Sequence, residues 1–295
     1  MEMFEPTLLY GLFLAILGAA ASVYYGHFSF MYTVLVVIGV VLAQMSVNVI
    51  SDYFDYSSGL DKELVRKKSG QLGGGSSFLA EGLIKPRYTL AAGVAAFLIA
   101  ASIGVYILYV RIELLPILVI AALTILLYAK YVKKVPYLAE PLCTINYTLI
   151  ALGSFIAVSG MYQLPYNVLF YFIPAGIMLG GNALFVNEIP DAAIDKKYGV
   201  KHSAVMLKTS KNIGLYYLSF QLIAYAILAI GIALGSVPLF SLLCIVTLPT
   251  TFYIFGGIYN ANSKKYSDYL KIHTISAVAF ALILSISYLI GPVIA

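Results

Sequence analysis

Residues 30–47, FMYTVLVVIGVVLAQMSV, run without a single charge, and the chain repeats stretches of this kind along its length. An α-helix needs about 20 mostly apolar residues to cross the hydrocarbon core of a bilayer. Runs of that length belong in lipid. Composition agrees: 61% of the residues are hydrophobic and 11% are charged, against about 25% charged in soluble domains. The chain is therefore expected to be an all-α, polytopic membrane protein.

Candidate spans fall near residues 7–25, 30–51, 88–110, 113–129, 140–160, 166–188, 214–234, 238–258 and 272–294. This predicts a bundle of nine transmembrane helices forming one domain over residues 1–295. The first run lacks a basic leader and a small-residue cleavage site, so it reads as the first span. Charge orients the bundle. Of the 18 Lys and Arg, only Arg111 lies outside the connections 52–87, 130–139, 189–213 and 259–271. By the positive-inside rule these connections, which follow spans 2, 4, 6 and 8, form a cytoplasmic cap. We expect a multi-pass protein of the plasma membrane, its N-terminus cytoplasmic and its C-terminus outside. The net charge of +5 reports this topology and anionic headgroups, not nucleic acid. Trp is absent, and the 25 Tyr can supply the interfacial aromatic belt. Cys143 and Cys244 lie in apolar stretches and make no metal motif, and the three His are scattered. The sequence leaves the oligomeric state open.

The acids follow the basic residues. All of the 13 Asp and Glu except Glu2, Glu5 and Glu113 lie in or beside the same connections. Acids do little to set topology, so a different demand placed them there. Span 2 ends in NVISDYFD, which sets Asn48, Asp52 and Asp55 at helical spacing on one face, with Asp61 following Gly59. Span 6 ends in NEIPDAAIDKKYG, which sets Asn187, Asp191 and Asp195 at intervals of four, again one helical face. The two Asn-x-x-x-Asp copies, at 48–61 and 187–199, form a weak internal repeat in equivalent topological places. Pro190 lies inside the second copy and predicts a kink there or a helix end.

Two faces rich in carboxylate and amide oxygens would repel one another if brought together empty. Mg²⁺ takes oxygen ligands and is typically held by a few carboxylates plus substrate phosphates. The pattern points to a diphosphate bound through Mg²⁺ at the cytoplasmic mouth, with cap lysines meeting the remaining charge. In a membrane protein the natural companion of that diphosphate is a long apolar tail. If diphosphate leaves an allylic carbon, the resulting cation can be stabilised by aromatic faces. Tyr53, Tyr56, Tyr147 and Tyr198 lie near the right depth, with membrane-belt or packing roles as their alternative. For Asp61 the alternative is a solvated loop acid. The stretch GQLGGGSS, residues 70–77, reads either as a lid or as a plain flexible loop.

These features resemble the UbiA superfamily of membrane prenyltransferases, nine-helix proteins with acidic motifs at the cytoplasmic ends of helices 2 and 6. The resemblance covers essentially the whole chain. It implies Mg²⁺-dependent transfer of a polyprenyl group from its diphosphate to an acceptor. Carried onto this sequence, Asn48, Asp52 and Asp55 hold one Mg²⁺, and Asn187, Asp191 and Asp195 hold another. Lys67, Lys68, Lys197 and Lys201 meet the diphosphate, and Asp195 or Glu140 positions or deprotonates the acceptor. Asp52, Asp191 and Asp195 are the residues on which catalysis is expected to turn. The first motif, with GQLGGGSSFLAEGLIKPRY after it, is most similar to the 1,4-dihydroxy-2-naphthoate branch of menaquinone synthesis. The second motif departs from that branch by an extra residue before Lys201, by Ser203 in place of Thr and by Ala139 in place of the Gly that precedes Glu140. Other acceptors, geranylgeranylglyceryl phosphate or 4-hydroxybenzoate, are the alternative. An alternative of another class is a lipid-diphosphate or ion transporter. Against it, transporter sites sit near the bilayer midplane, where these spans carry almost no acids.

Overall fold

The computed structural model describes residues 6–58, 79, 81–128, 131–132, 135–161, 163–197, 199–261 and 265–294. The helices are α1 (Pro6–Tyr24), α2 (Phe30–Ser58), α3 (Pro86–Val110), α4 (Leu115–Tyr128), α5 (Ala139–Ser159), α6 (Leu169–Gly176), α7 (Asn182–Glu188), α8 (Ala192–Lys197), α9 (Ser203–Met206), α10 (Ser210–Ala233), α11 (Leu248–Tyr259) and α12 (Tyr266–Ile294). Strands are absent among the described residues.

Each expected span coincides with a helical stretch, but not all are equally long. Among the described residues, seven helices have the length and apolar composition to cross a membrane, while Leu8–Tyr24 and Ile112–Thr124 are apolar but shorter. The fourth stretch enters through a 3₁₀ turn, Ile112–Leu114, and continues as the 14-residue α4. At 1.5 Å per residue that helix rises only about 21 Å, short of a ~30 Å hydrocarbon core.

The span Tyr166–Glu188 is the axis of the bundle, with 78% of its apolar window buried against 11% for α2 and 17% for α3. It comprises α6, a π-helical segment (Ile177–Gly181) and α7, packed against α5, α10 and α12. Small residues set the approach to α5. A Cβ at Gly176 would lie 2.9 Å from the Thr144 carbonyl oxygen, and one at Gly180 2.9 Å from that of Cys143. Helices pack this way in lipid, where close van der Waals contact replaces a hydrophobic drive. Around the axis, α1 packs on α2, α5 and α12, and α10 packs on α11. The largest apolar cluster joins Leu14 and Leu17 of α1 to Phe155 of α5, Phe172 of α6 and Phe280 and Leu284 of α12. The outer helices leave apolar side chains on their surfaces, such as Leu98 and Val105 on α3 and Phe252 on α11, as a lipid-facing surface requires.

A polar chain crosses this interior. The Thr251 hydroxyl donates to Gln221 Oε1 at 3.0 Å, and Gln221 Nε2 lies 3.5 Å from His273 Nδ1. His273 Nε2 then meets the Met178 carbonyl at 3.1 Å, inside the π segment. Where the helical ladder loosens into a π turn, its backbone can be met by an outside donor.

Candidate active site

The first acidic motif lies on one continuous helix. α2 runs beyond the apolar stretch to Ser58, so Asn48, Asp52 and Asp55 share it and keep the expected spacing. Asn48, Asp52, Tyr53 and Tyr56 are half-buried, and Tyr53 packs edge-on against Phe54 at 5.5 Å. Asp61, Lys67, Lys68 and Tyr198, together with the Gly-rich stretch, lie outside the described residues.

The second motif corrects the sequence expectation. Asn187, Asp191 and Asp195 do not share one helical face. α7 ends at Glu188, residues 189–191 form a turn, and α8 begins at Ala192. Pro190 cannot donate to a carbonyl four residues back, so the helix stops. The Asp191 carbonyl then accepts from Ile194 N–H at 2.8 Å and Asp195 N–H at 3.0 Å, which starts α8. The short helix closes with Val200 N–H donating to the Asp195 carbonyl (3.0 Å) and Gly199 N–H to that of Lys196 (3.3 Å). Gly199 sits at φ 73°, and together these form a Schellman stop. Asn187 thus belongs to α7, Asp191 to the turn and Asp195 to α8. The two aspartates are 5% and 8% exposed, a burial that carboxylates rarely adopt unless paired.

The Schellman stop turns the chain back on itself and delivers a residue that spacing did not single out. His202 Nε2 lies 2.9 Å from Asp195 Oδ2, and its Nδ1 lies 3.4 Å from Glu188 Oε2. The next residue, Ser203, accepts the Tyr137 N–H at 2.8 Å and so ties α9 to the segment before α5. Glu140, in the first turn of α5, is fully buried. The Ser203 hydroxyl and His202 are its neighbours. Glu140, Asp195, His202 and Ser203 are buried and, with the half-buried Glu188, form one cluster. Of these, sequence reasoning had named Asp195 and Glu140 as site residues. His202 was hidden because its link to Asp195 depends on the reversal at Gly199.

Helix α5 packs against both α2 and α7 and so stands between the helices that carry the two motifs. Tyr147, two turns along α5 from Glu140, is buried edge-on against Tyr10 at 6.5 Å, inside the apolar cluster. Lys197 and Lys201 are exposed at the rim.

Hard oxygen donors beside a single imidazole suit a hard divalent cation. Among the described residues, no three His, Cys, Asp or Glu side chains form a ready metal cage. A cation here would complete its shell with water or phosphate oxygens, the ordinary habit of Mg²⁺.

An all-helical, lipid-facing bundle with acids gathered at the ends of two spans is a class of membrane protein that handles a charged group at the edge of an apolar interior. The comparisons narrow that class. The model of the UbiA prenyltransferase family matches residues 12–275, and the chain belongs to that family. Its class of activity is therefore prenyl transfer. The fold is similar to the apo structure of a UbiA homologue from Aeropyrum pernix K1, with a TM-score of 0.71 at 17% identity over 97% of this chain and 98% of that one. It is also similar to a structure of digeranylgeranylglyceryl phosphate synthase, with a TM-score of 0.61 at 20% identity over 97% of this chain and 99% of that one. A UbiA homologue from Archaeoglobus fulgidus bound to DMAPP and Mg²⁺ gives a TM-score of 0.52 at 15% identity, over 95% of this chain and 98% of that one. No curated protein matches the chain by sequence.

Proposed function

We propose that this chain moves a polyprenyl group from its diphosphate to an aromatic acceptor at the cytoplasmic face of the membrane. The observation that carries the reading is the duplicated Asn-x-x-x-Asp motif, whose second copy buries Asp191 and Asp195 at a helix break, in a member of a prenyltransferase family. In this reading Asn48, Asp52 and Asp55 hold one Mg²⁺, and Asn187, Asp191 and Asp195 hold a second. The homologue bound to DMAPP and Mg²⁺ supports the metal and the substrate class. The two motifs face each other across α5, a placement supported by the packing of α5 on both α2 and α7.

When bound, Mg²⁺ supplies Lewis-acid stabilisation of the departing diphosphate. The chain's own residues do the rest. Lys67, Lys68, Lys197 and Lys201 meet the remaining phosphate charge, with Asp61 assisting. The allylic C–O bond breaks, and its electron pair leaves with the diphosphate. Tyr53, Tyr56, Tyr147 and Tyr198 offer π faces to the allylic cation. A ring carbon of the acceptor then forms the new C–C bond, and the ring gives up a proton, or carbon dioxide if that carbon bears a carboxylate. Glu140 orients the acceptor through its hydroxyl and takes a proton from it, a role consistent with its burial beside Ser203 and His202.

The acceptor we propose is 1,4-dihydroxy-2-naphthoate, on the spacing of the first motif and the stretch 70–88. Mass spectrometry of products from a panel that includes dihydroxynaphthoate, 4-hydroxybenzoate and geranylgeranylglyceryl phosphate decides among acceptors. The test of the site itself is Asp52→Ala and Asp191→Ala, assayed singly for prenyl transfer with Mg²⁺ in liposomes. Each should lose at least about a hundredfold in kcat/KM, since several kcal/mol of charge stabilisation go with the ligand. Full activity in both variants would sink the assignment. Uptake of the lipid diphosphate with no release of diphosphate would point to a transporter instead.

A further inference from the structure

Both nitrogens of the His202 imidazole face carboxylates that the Pro190 break has separated. Glu188 closes α7, Asp195 lies on α8, and the turn between them holds Pro190 and Asp191. Nε2–H donates to Asp195 Oδ2 at 2.9 Å, while Nδ1 stands 3.4 Å from Glu188 Oε2. The imidazole is 2% exposed, so it does not swing through solvent. Its backbone is pinned as well. The His202 carbonyl accepts from Val205 and Met206 N–H at 3.1 and 3.2 Å and so starts α9, and Ser203 is held by Tyr137.

The turn does not need this contact in order to close. Backbone bonds from Gly199 and Val200 already end α8, and Gly199 supplies the left-handed conformation. Nor does a buried cluster of acids around one imidazole serve stability well. Charges taken out of water are often no better for stability than apolar residues of the same volume. What the imidazole does accomplish is directional. With Oδ2 of Asp195 held, Oδ1 is the oxygen left to a metal ion, and Glu188 lies on the opposite side of the ring. Groups that hold a ligand carboxylate from behind set its orientation and tune its affinity for metal.

We infer that His202 is a positioning residue for Asp195, and that this clamp restores across the Pro190 break the orientation that a continuous helix would have provided. The inference rests on the reading of Asp195 as a metal ligand. It concerns hydrogen-bond direction, and His202 itself touches neither substrate nor metal.

The experiment compares wild type with His202→Ala, His202→Gln and His202→Asn in nanodiscs. A glutamine amide nitrogen falls near the place of Nε2, whereas that of asparagine falls near Nδ1. Mn²⁺, standing in for Mg²⁺, is titrated with inorganic diphosphate present and followed by electron paramagnetic resonance. Melting temperature and the Mg²⁺ dependence of transfer are measured alongside. His202→Ala should weaken Mn²⁺ binding roughly ten- to a hundredfold. His202→Gln should recover most of that loss and His202→Asn should not, although melting temperatures fall in all three variants because a buried carboxylate loses its imidazole partner. In the assay, half-saturating Mg²⁺ should rise while kcat at saturating Mg²⁺ changes little. Unchanged Mn²⁺ affinity in His202→Ala overturns the clamp alone. Should that variant fail to fold, equal affinities in the Gln and Asn variants overturn it instead. A wild-type protein that takes up no Mn²⁺ overturns the metal assignment and the clamp with it.

Discussion

At the residue scale, Glu140 is the most informative side chain in the molecule. Burial penalises a charged group heavily, and Glu140 is fully buried with only the Ser203 hydroxyl, His202 and its own backbone to offset the loss of water. Natural proteins tolerate such groups where function needs them, at the expense of stability. Glu140→Gln keeps the shape and a hydrogen-bonding end but removes the charge. It should leave the melting temperature unchanged or raise it by a few degrees, about 1 kcal/mol for a chain of this size. It should also lower kcat/KM for transfer at least about tenfold. Thermal melting in detergent and a steady-state assay check the pair together. A lower melting temperature with full activity would make Glu140 a packing residue. Asn48 and Asp52 were legible in the sequence because α2 simply continues past its apolar run, so helical spacing carries through. The second motif has nearly the same spacing, yet it folds as helix, turn and helix. Spacing alone does not separate the two outcomes, and Pro190 decides between them through the donor it lacks. The link from His202 to Asp195 was not legible, since it follows from one positive φ angle at Gly199.

At the scale of elements, the spans could be read from the lengths of their apolar runs, and the centrality of Tyr166–Glu188 could not. A residue facing lipid and one facing a neighbouring helix are equally apolar, so hydropathy does not say which helix lies inside. The π segment is invisible for the same reason, because IMLGG is apolar in either register. Its partner, His273, is the better clue. A histidine at the start of the last apolar span needs a polar partner when it is buried, and here it meets the Met178 carbonyl on one side and Gln221 on the other. Replacing it with Leu leaves the carbonyl and Gln221 without this donor and acceptor. The expected loss is about 1–3 kcal/mol, the penalty for an orphaned buried polar group. His273→Leu should therefore lower the melting temperature by several degrees, with His273→Gln falling between it and wild type. Equal stability of all three would mean that the π segment stands without the chain from Thr251 to Met178.

At the scale of the whole molecule, orientation follows from charges that hardly touch the fold. Arg111 is the exception that tests the rule. It caps α3 at the end opposite the acidic motifs, with its guanidinium 5.5 Å from the centroid of the Tyr32 ring and pressed against Gly160. There it is held by local packing, whereas Lys196, Lys197, Lys201, Lys208 and Lys211 crowd the end where α8, α9 and the start of α10 lie. By the positive-inside rule we propose that the end carrying the acidic motifs faces the cytoplasm. Cysteine labelling tests this directly. Cys143 is partly buried and Cys244 buried, so replacing both with Ser gives a background with little perturbation of exposed surface. Tyr166, 79% exposed where the central span begins, and the exposed Lys208, between α9 and α10, lie near opposite ends of the bundle. In right-side-out vesicles a membrane-impermeant maleimide should label Tyr166→Cys and spare Lys208→Cys until detergent is added. The reverse pattern would put the acidic motifs on the outer surface, and the proposed reaction would then require prenyl diphosphate to be delivered there.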